Sequence, residues 1–431
     1  MAQIVLPNSV NYDEQLPSLI SGVNNYTQVL QPSNGSAFKQ NNQINIDIPS
    51  RGFIDPKSCY IRYKNKYTSG AGFVCSCPLF TPILRLDTYI NSVLVDTISD
   101  YNKVANDWIN LNLGPNEKMA IQSAWGYDVS DGNITKFDGR TLSAGTTTFP
   151  VAGPLVGCLL TSCEKMIPAF CMAGIRLVFT LDSYTNMCSN GTLPTDYDLN
   201  NFEFVYDLID FGSQIEQEIM SRQNIVIKSN SHNLSSLTVP VGTSGNNTYV
   251  FNQRFASIRN AIVSTTCSTS TLTLNGKYDS VDLTSFTDSK NYGGSYSISC
   301  GGIQFPQGAP LNTLNNRAGL LQELRKAIGN LYSWEKSMSI DATEFSYAES
   351  GAGNGTTTAY QNAKFFVGFD LNKINSASNM MLNGTSSQNS PINVIVQSTQ
   401  QTANSHQLCL MLNYDAIITI DPRTKQVSIL Q

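Results

Sequence analysis

The feature that most constrains the fold of this chain is the alternation of apolar and polar residues in many short segments. The segment "QINIDIPS", which begins at Gln43, and the segment "IRLVFTL", which begins at Ile175, both place an apolar residue at every second position. Side chains of a strand point alternately to opposite faces, so this period of two predicts strands with one buried face. Similar segments, such as "FEFVYDLIDFG", "INVIVQSTQ" and "KQVSIL", recur along the chain. The sequence therefore predicts a mainly β protein.

Two segments break this pattern and predict helices. "ILRLDTYINSVLVDTI" (Ile83–Ile98) predicts two strands around a turn at Asn91-Ser92, and "SDYNKVANDWINLN" then predicts a short helix with Ser99 as its N-cap. "FPQGAPLNTLNNRAGLLQELRKAIGNL" (Phe305–Leu331) predicts a second amphipathic helix, which we expect to cover an end or flank of a sheet. Its predicted apolar stripe is Leu321, Leu324, Ile328 and Leu331, with Arg317, Gln322, Arg325 and Lys326 away from it.

The order of segments repeats once along the chain. The two predicted helices begin near Ser99 and Asn315, about 216 positions apart, and each lies between early and late strands. Two all-β units of roughly 200 residues each are consistent with this repeat of architecture. We therefore expect an irregular N-terminal arm over residues 1–40, a first domain over residues 41–213 and a second domain over residues 214–431.

The composition favours a protein with buried lateral surfaces. Charged residues make up 14% of the 431 residues, well below the average of about 25% for soluble proteins. The polar surface is therefore built mainly from Asn, Ser, Thr and Gln, which suits interfaces better than a charge-repelled monomer. The formal net charge is −5, and the first Lys or Arg is Lys39. An N-terminal arm without cationic residues in an acidic chain is not expected to neutralise nucleic-acid phosphates.

Cysteine usage and hydropathy indicate neither a disulfide framework nor a membrane span. No secretory signal and no run of about 18 apolar residues is recognisable, so no transmembrane helix is expected. No Cys-x-x-Cys pair occurs, and "CSC" lacks further Cys or His residues at metal-ligand spacing, so we expect free, buried thiols. The cysteines are Cys59, Cys75, Cys77, Cys158, Cys163, Cys171, Cys188, Cys267, Cys300 and Cys409.

Residue types for catalysis are sparse. The two histidines, His232 and His406, lie in polar contexts and are expected to be solvated loop residues. The acidic stretches "DIPSRGFID" (residues 47–55) and "TDYDL" (Thr195–Leu199) do not follow the calcium-loop pattern and are better explained as turns. The glycine-rich "ESGAGNGTTT" (Glu349–Thr358) lacks the Lys of a phosphate site and predicts a surface loop. We therefore predict no catalytic, cofactor-binding or metal-binding residues.

Several longer stretches carry a family resemblance when their order is considered. They are "INSVLVDTISDYNKVAND", "MIPAFCMAGIRLVFTLDS", the helix segment that begins at Phe305, "MMLNGTSSQNSPINVIV" and "NYDAIITIDPRTKQVSIL". In order, they resemble a strand with a Tyr-bearing helix, a Pro-initiated late strand, a Pro-containing loop with a helix, and the closing strands of double jelly-roll viral major capsid proteins. The resemblance is to those of polinton-like viruses and virophages, in the lineage of adenovirus hexon, and covers about residues 40–431.

The resemblance implies an all-β fold of two tandem eight-stranded antiparallel jelly-roll sandwiches with short helices on the connecting loops. It implies a structural major capsid protein that is not an enzyme, has no cofactor and forms a homotrimer. These pseudo-hexameric capsomers would tile an icosahedral virion shell around double-stranded DNA, assembled inside the host cell. Implied partners are neighbouring capsomers, penton and minor or cement capsid proteins, and an internal membrane or minor proteins under the shell, without sequence-specific nucleic-acid binding.

Two other functions remain open from the residues alone. A two-domain β-sandwich lectin or adhesin would bind sugars through aromatic, Asn and Asp side chains at loop tips. A β-sandwich glycoside hydrolase would need two carboxylates about 5–9.5 Å apart in a groove. No local motif proposes such a pair.

Overall fold

The computed structural model describes most of the chain from residue 23 to the C-terminus. The described residues are 23–75, 77–127, 140–186, 190–191, 193–222, 224–267, 277–278, 280, 282–283, 294–313, 317–329, 331, 338, 340, 345, 364–374, 382–398 and 405–431. No helix within these ranges is both long enough and apolar enough to cross a membrane.

The first half of the chain contains fourteen strands and two helices in its described part. The strands are β1 (Asn24–Leu30), β2 (Ala37–Lys39), β3 (Gln43–Ile48), β4 (Phe53–Ile54), β5 (Tyr60–Ser69), β6 (Phe73–Cys75), β7 (Ile83–Ile90), β8 (Val93–Ile98), β9 (Arg140–Leu142), β10 (Gly145–Pro154), β11 (Ile167–Pro168), β12 (Ile175–Leu181), β13 (Asn190–Gly191) and β14 (Asp196–Asp210). The helices α1 (Tyr101–Asn112) and α2 (Pro115–Trp125) lie between β8 and β9.

The second half follows helix α3 (Ser213–Ser221) and contains ten strands and one α-helix in its described part. The strands are β15 (Ile225–Val239), β16 (Gly245–Phe251), β17 (Ile258–Cys267), β18 (Ser295–Cys300), β19 (Ile303–Phe305), β20 (Leu311–Asn312), β21 (Phe366–Asp370), β22 (Ile392–Ser398), β23 (His406–Asp421) and β24 (Gln426–Leu430). The helix α4 (Arg317–Ala327) lies between β20 and β21.

Both halves build two main antiparallel sheets with the same strand order, and the first half also contains a small sheet, β13-β6-β9. When the eight main strands of a half are numbered along the chain, one sheet has the order 1-8-3-6 and the other has the order 2-7-4-5. In the first half these sheets are β1-β14-β5-β10 and β3-β12-β7-β8. In the second half they are β15-β23-β17-β21 and β16-β22-β18-β19. Each half is therefore an eight-stranded jelly roll, and the predicted all-β fold is confirmed.

Aromatic side chains join the two sheets of each sandwich. In the first half, the ring of Phe179 on β12 lies 5.2 Å from the ring of Phe202 on β14, which stacks on Tyr63 of β5 at 5.3 Å. In the second half, Tyr296 on β18 lies 5.9 Å from Phe365, which directly precedes β21. The alternating residues that predicted the strands thus fill the space between two sheets in each half.

The prediction of an irregular arm over residues 1–40 is wrong for its last part. Strand β1 pairs with β14 from Asn24 opposite Asp210 to Leu30 opposite Phe204, and β2 also pairs with β14. Both strands belong to the first jelly roll. The sequence did not reveal β1, because most of its side chains are exposed and polar residues therefore occupy both faces. Residues 1–22 of the predicted arm lie outside the described residues.

The hairpin β7–β8 is confirmed at its predicted turn. Asn91 and Ser92 have φ values of 53° and 65°, as a two-residue turn of type I′ requires. Helix α1 follows, but its N-cap is Asp100 in a left-handed conformation, and no side chain caps the helix there. The predicted cap at Ser99 is therefore off by one residue.

Helix α4 covers the second jelly roll from outside. Its buried residues are Leu320, Leu324 and Ala327. Leu324 of the predicted stripe is confirmed, and Leu321 and Ile328 are partly buried against the core, but Leu320 and Ala327 were not predicted. The helix packs on β21, where a Cβ atom on Gly368 would lie 2.8 Å from the Cα atom of Leu324. Phe365 points inward to Tyr296. Successive side chains of a strand point to opposite faces, so Gly368, three positions later, points outward. The helix therefore buries the outer face of the 1-8-3-6 sheet.

We predict that the Leu324→Ala variant lowers the free energy of unfolding by about 2–5 kcal/mol, because a cavity would remain over Gly368. The matched control is Gln322→Ala on the exposed side of the same helix, which should change this energy by less than about 0.5 kcal/mol. Denaturant titrations of the three proteins provide the measurement. Equal midpoints and slopes for Leu324→Ala and the native chain would contradict the packing.

Candidate functional site at the junction of the two halves

A network of polar contacts between described residues joins the two jelly rolls. The first half contributes β8 and residues 155–164, which follow β10. The second half contributes β15 and the long strand β23. The strands themselves form no shared ladder in the described residues, so side chains and loop backbone make the connection.

The carboxylate of Asp96 on β8 is the centre of this junction. It is buried, and it accepts hydrogen bonds from three donors on separate segments. The hydroxyl of Tyr414 on β23 donates to Oδ1 at 3.0 Å, and the backbone N–H of Leu159 donates to Oδ2 at 3.1 Å. The hydroxyl of Ser231 on β15 lies 2.9 Å from both oxygens. One side chain of the first half thus holds two strands of the second half.

Further contacts extend the junction along β15. The Ser229 hydroxyl donates to the Leu159 carbonyl oxygen at 2.5 Å, and Nδ1 of His232 lies 3.0 Å from the Gly157 carbonyl oxygen. The Glu164 N–H donates to the Lys228 carbonyl oxygen at 3.1 Å. The two halves approach closely at Gly157, where a Cβ atom would lie only 2.8 Å from Nδ1 of His232. A residue larger than glycine would therefore clash with His232. Gly157 also has a φ of +67°, which favours glycine.

A second group of contacts lies on the other side of α1. The Lys277 ammonium of the second half lies 2.8 Å from a carboxylate oxygen of Asp182 and 3.4 Å from one of Asp100. Within α1, the buried Lys103 and Asp107 form an ion pair at 3.1 Å. The thiol of Cys409 on β23 lies close enough to Lys103 to influence its pKa. Helix α1 therefore lies against the second half.

Burial sets the protonation of the junction groups. Burial raises the pKa of Asp96 from 3.8 to about 6, although its hydrogen bonds oppose this change. Burial also raises the pKa of Tyr414 well above its ordinary value, so this hydroxyl remains a donor. The pKa of His232 is lowered by burial, so its ring is neutral at neutral pH and its Nδ1–H faces the Gly157 carbonyl. At neutral pH the junction thus holds one buried negative charge among neutral donors.

Neither Asp96 nor Ser231 nor Tyr414 was predicted to be a functional residue, and the interpretation of the two histidines as solvated loop residues is wrong. His232 lies on β15 and His406 begins β23, and both side chains are buried. Polar neighbours suggested loops, but these neighbours are junction groups and edge-strand residues. One signal was available: Ser229 and Ser231 occupy the alternate positions of β15 at which an isolated sandwich strand would carry apolar residues.

Carboxylates in the two acidic stretches are bound to protein groups. Asp47 pairs with Arg176 at 2.5 Å, and Asp196 pairs with Lys39 at 3.3 Å. Asp198 lies 3.4 Å from Lys66. Among the described residues, no group of three His, Cys, Asp or Glu side chains could hold a metal ion. The predicted loop at Glu349–Thr358 lies outside the described residues.

The cysteines are buried thiols wherever their side chains are described. These eight residues form no disulfide, which confirms the prediction for them. Burial raises the pKa of Cys77 and of Cys158 to about 11, so both thiols remain protonated at neutral pH. The side chains of Cys188 and Cys267 lie outside the described part.

An open groove of about 680 Å³ lies on the outer face of the 1-8-3-6 sheet of the first half. We call it the first-half groove. Strands β5, β10 and β14 form its floor, and α2 and the turn after β1 form its walls. Its lining includes Arg62, Lys64, Ser123, Pro150, Ala152 and Glu203. The corresponding face of the second half is buried under α4 and α1, so the two halves differ at this face.

A smaller cleft of about 300 Å³ lies in the second half. We call it the second-half cleft. It lies where β19 ends, beside α4 and the end of β21. Its lining includes Phe305, Pro306, Glu323, Lys326, Asp370 and Asn372.

We predict a specific pH dependence of stability from Asp96. Its pKa is higher in the folded state than the unfolded value of 3.8, so the folded protein holds more protons between about pH 4 and pH 6. The contribution of Asp96 to the free energy of unfolding therefore falls by about 3 kcal/mol as the pH rises through this window.

The Asp96→Asn variant should lose this contribution, because its amide does not titrate. The difference in unfolding free energy between the native chain and this variant, measured by denaturant titration from pH 4 to pH 7, should shift in favour of the native chain at low pH. Gln43→Ala, at an exposed position of β3, is the control; it removes no titrating group, so its difference from the native chain should not change with pH. A pH-independent difference for Asp96→Asn would show that the carboxyl is not protonated in this window.

Comparison with known proteins identifies the architecture. No protein-family model and no curated protein sequence matches the chain. The Faustovirus major capsid protein is similar in structure with a TM-score of 0.62 at 9% identity, over 97% of this chain and 93% of that chain. A chain of the PBCV-1 virus capsid has a TM-score of 0.58 at 9% identity, over 97% and 99%. The mavirus major capsid protein has a TM-score of 0.56 at 11% identity, over 100% and 95%. The chain therefore has the double jelly-roll fold of these viral capsid proteins.

Proposed function

We propose that this chain is a structural major capsid protein whose homotrimers form pseudo-hexameric capsomers of an icosahedral, double-stranded DNA virion. The observation that carries this proposal is the pair of jelly rolls with the same strand order, fused through one buried junction. This fold is shared over at least 93% of each chain with the three viral capsid chains named above. Two matching rolls per chain give a trimer six similar units, which suits a hexagonal block.

The sheets support the domain boundaries that we propose. We infer a first domain from β1 to β14 and a second domain from β15 to β24, with α3 as the connection. Ladders in the described residues join strands only within one of these groups. The first domain therefore begins within the range that was predicted as an arm, at or before Asn24.

The chemistry of the described surface supports a structural role without catalysis. Acidic side chains of the first half are bound in ion pairs such as Arg62–Glu203 at 2.6 Å and Arg85–Asp87 at 2.8 Å. The outward residues of the 2-7-4-5 sheet in the second half are uncharged, and include Thr248, Ile395 and Ser297. Such a face can be buried in a protein interface without leaving charged side chains unpaired. We place the protein in the virion shell, with neighbouring capsomers and penton and minor or cement capsid proteins as partners.

We predict that the purified protein assembles into trimers. Sedimentation velocity should give one species at three times the mass of the 47.1 kDa chain, and negative-stain microscopy should show hexagonal blocks or closed shells. The physical reason is that two jelly rolls per chain present repeated lateral faces, which close most simply around a threefold axis.

The competing binding and catalytic functions give different results. A monomer that binds defined sugars on a glycan array would support a lectin. Hydrolysis of a polysaccharide by the pure protein would support an enzyme. Either result, together with the absence of trimers and blocks by microscopy, would overturn the capsid proposal.

A further inference from the structure

We propose that Lys118 of α2 and Asn110 of α1 condense into an isopeptide bond, which joins the two helices covalently. The ammonium group of Lys118 donates a hydrogen bond to Oδ1 of Asn110 at 2.7 Å. Both residues are buried, with Lys118 3% exposed and Asn110 5% exposed. The inference concerns chemistry within one chain and does not depend on the capsid proposal.

Lys118 is buried because of its place on α2. It lies three positions before Ile121 and seven before Trp125, so the three side chains share one face of the helix. The ring of Trp125 lies 5.8 Å from the ring of Phe80, and Ile121 packs against the core. The buried thiol of Cys77 is close enough for the Lys118 charge to influence its pKa. An amine thus occupies a helix position at which a core-facing helix usually carries an apolar residue.

Asn110 lies on a helix that is enclosed on almost every side. All residues of α1 except Trp108 and Asn112 are buried. Helix α1 packs on β7 and α2 packs on β10, where a Cβ atom on Gly153 would lie 2.6 Å from Nε1 of Trp125. The first jelly roll therefore holds both helices in place, so the amine and the carboxamide cannot separate without opening the core.

The contact brings a nucleophile to an electrophile. Because Oδ1 of a carboxamide is about 1.2 Å from Cγ, the 2.7 Å contact places Nζ within about 4 Å of Cγ. Reacting atoms in productive complexes lie about 3–3.5 Å apart, so a small rotation of either side chain suffices. Burial disfavours a charged amine, and the neutral amine is the form that attacks a carbonyl carbon.

A carboxyl group is available to move the proton that this step requires. Asp107 lies three positions before Asn110 on α1, so the two side chains are neighbours on the helix surface. Its Oδ1 is buried without a hydrogen-bond partner among the described residues, whereas Oδ2 pairs with Lys103. Burial raises the pKa of Asp107, although Lys103 opposes this change. The group is therefore suited to both accept and donate a proton.

The step balances without an oxidant or a further reactant. The bond between Nζ and Cγ forms, and the bond between Cγ and Nδ2 breaks. Asp107 accepts a proton from Nζ, passes it to Nδ2 and is regenerated. A lysine ammonium and a carboxamide thus become a secondary amide and one ammonium ion, so atoms and charge are conserved.

The bond would close the chain between Asn110 and Lys118 and hold α1 to α2. Helix α1 lies against the second half, and α2 forms a wall of the first-half groove. A covalent link restricts the unfolded chain and so favours the folded state, as other cross-links do. The support of the junction and the groove wall would then be joined in one covalently closed corner of the first jelly roll.

Proteolysis of the full-length chain tests the bond directly. Glu117 lies between the two residues, so cleavage after Glu117 separates them unless an isopeptide bond holds them. Trypsin does not cleave after a lysine whose Nζ is acylated. The folded native protein is incubated, denatured and digested with trypsin and a glutamate-specific protease. Mass spectrometry should find residues 104–117 joined to residues 118–136, one ammonia lighter than the sum of the two peptides.

Three variants and one condition identify the origin of the joined peptides. Lys118→Arg keeps the positive charge and should release residues 104–117 as a free peptide. Asp107→Asn should slow the appearance of the joined peptides by about a hundredfold, because the proton transfer is lost. The matched control is Lys57→Arg, at an exposed position, which should leave the joined peptides unchanged. Native chain kept unfolded in denaturant should not form them, because the bond needs the folded geometry. Circular dichroism and thermal unfolding check the fold of each variant.

Several results would overturn the inference. A free peptide of residues 104–117 from folded native chain, after incubation for days at neutral pH, would show that the contact remains a hydrogen bond. Loss of ammonia from the intact chain together with this free peptide would place a cyclised asparagine or glutamine in the chain instead. Joined peptides from Lys118→Arg would assign the link to other side chains. An unchanged rate in folded Asp107→Asn would remove the proton-transfer role of Asp107. None of these results bears on the capsid proposal, which the assembly of trimers tests.

Discussion

The arrangement of the two jelly rolls depends on the burial of one carboxylate. A charged group removed from water must have its oxygens saturated by donors, because an unsatisfied buried charge costs several kcal/mol. Asp96 obtains these donors from Leu159 in its own half and from Ser231 and Tyr414 in the other half. Sliding one roll past the other would separate this carboxylate from its donors. The junction therefore holds the two rolls in one position, as a rigid double block.

The sequence predicted the elements that depend on local pattern. The turn at Asn91-Ser92 was recognisable because a two-residue hairpin needs residues that tolerate positive φ. The strands that begin at Gln43 and Ile175 were recognisable because one face of each is buried in a sandwich. In α4, the pattern gave the helix and the buried Leu324, but not the buried Leu320 and Ala327. Gly368 admits the helix closely enough to bury Ala327, and no sequence period indicates this contact.

Elements whose burial depends on distant parts of the chain could not be predicted in this way. Strand β1 is held by its ladder with β14 rather than by an apolar face. His232 and Ser231 are polar residues that are buried only because the other jelly roll covers them. Asp96 follows Val95 within an apolar strand, where a carboxylate usually faces water. Each of these residues needs the tertiary junction to explain its environment, so the candidate site was not predictable from local pattern.

The two halves share a strand order but have different outer faces. In the first half, the 1-8-3-6 sheet carries cross-strand ion pairs such as Lys66–Asp198 at 3.4 Å. This face suits contact with water, because burial of such a pair adds a desolvation cost that its attraction need not repay. In the second half, α4 and α1 cover the corresponding face, which leaves apolar residues such as Met411 buried on it. Two jelly rolls with the same strand order can differ in this manner because the sandwich core constrains only the inward residues. The outward residues are then free to specify whether a face meets water, a helix or another roll.

The same reasoning explains why similar folds occur at only 9–11% identity. A sandwich core requires apolar residues of suitable volume at alternate positions, and many sequences meet this requirement. Strand order, in contrast, is fixed by the connections, which cannot change without refolding the sheets. The same architecture can therefore be built from sequences that share few identical residues. In this chain the order 1-8-3-6 and 2-7-4-5 occurs twice, and this repeated order, rather than any sequence motif, carries the similarity of fold.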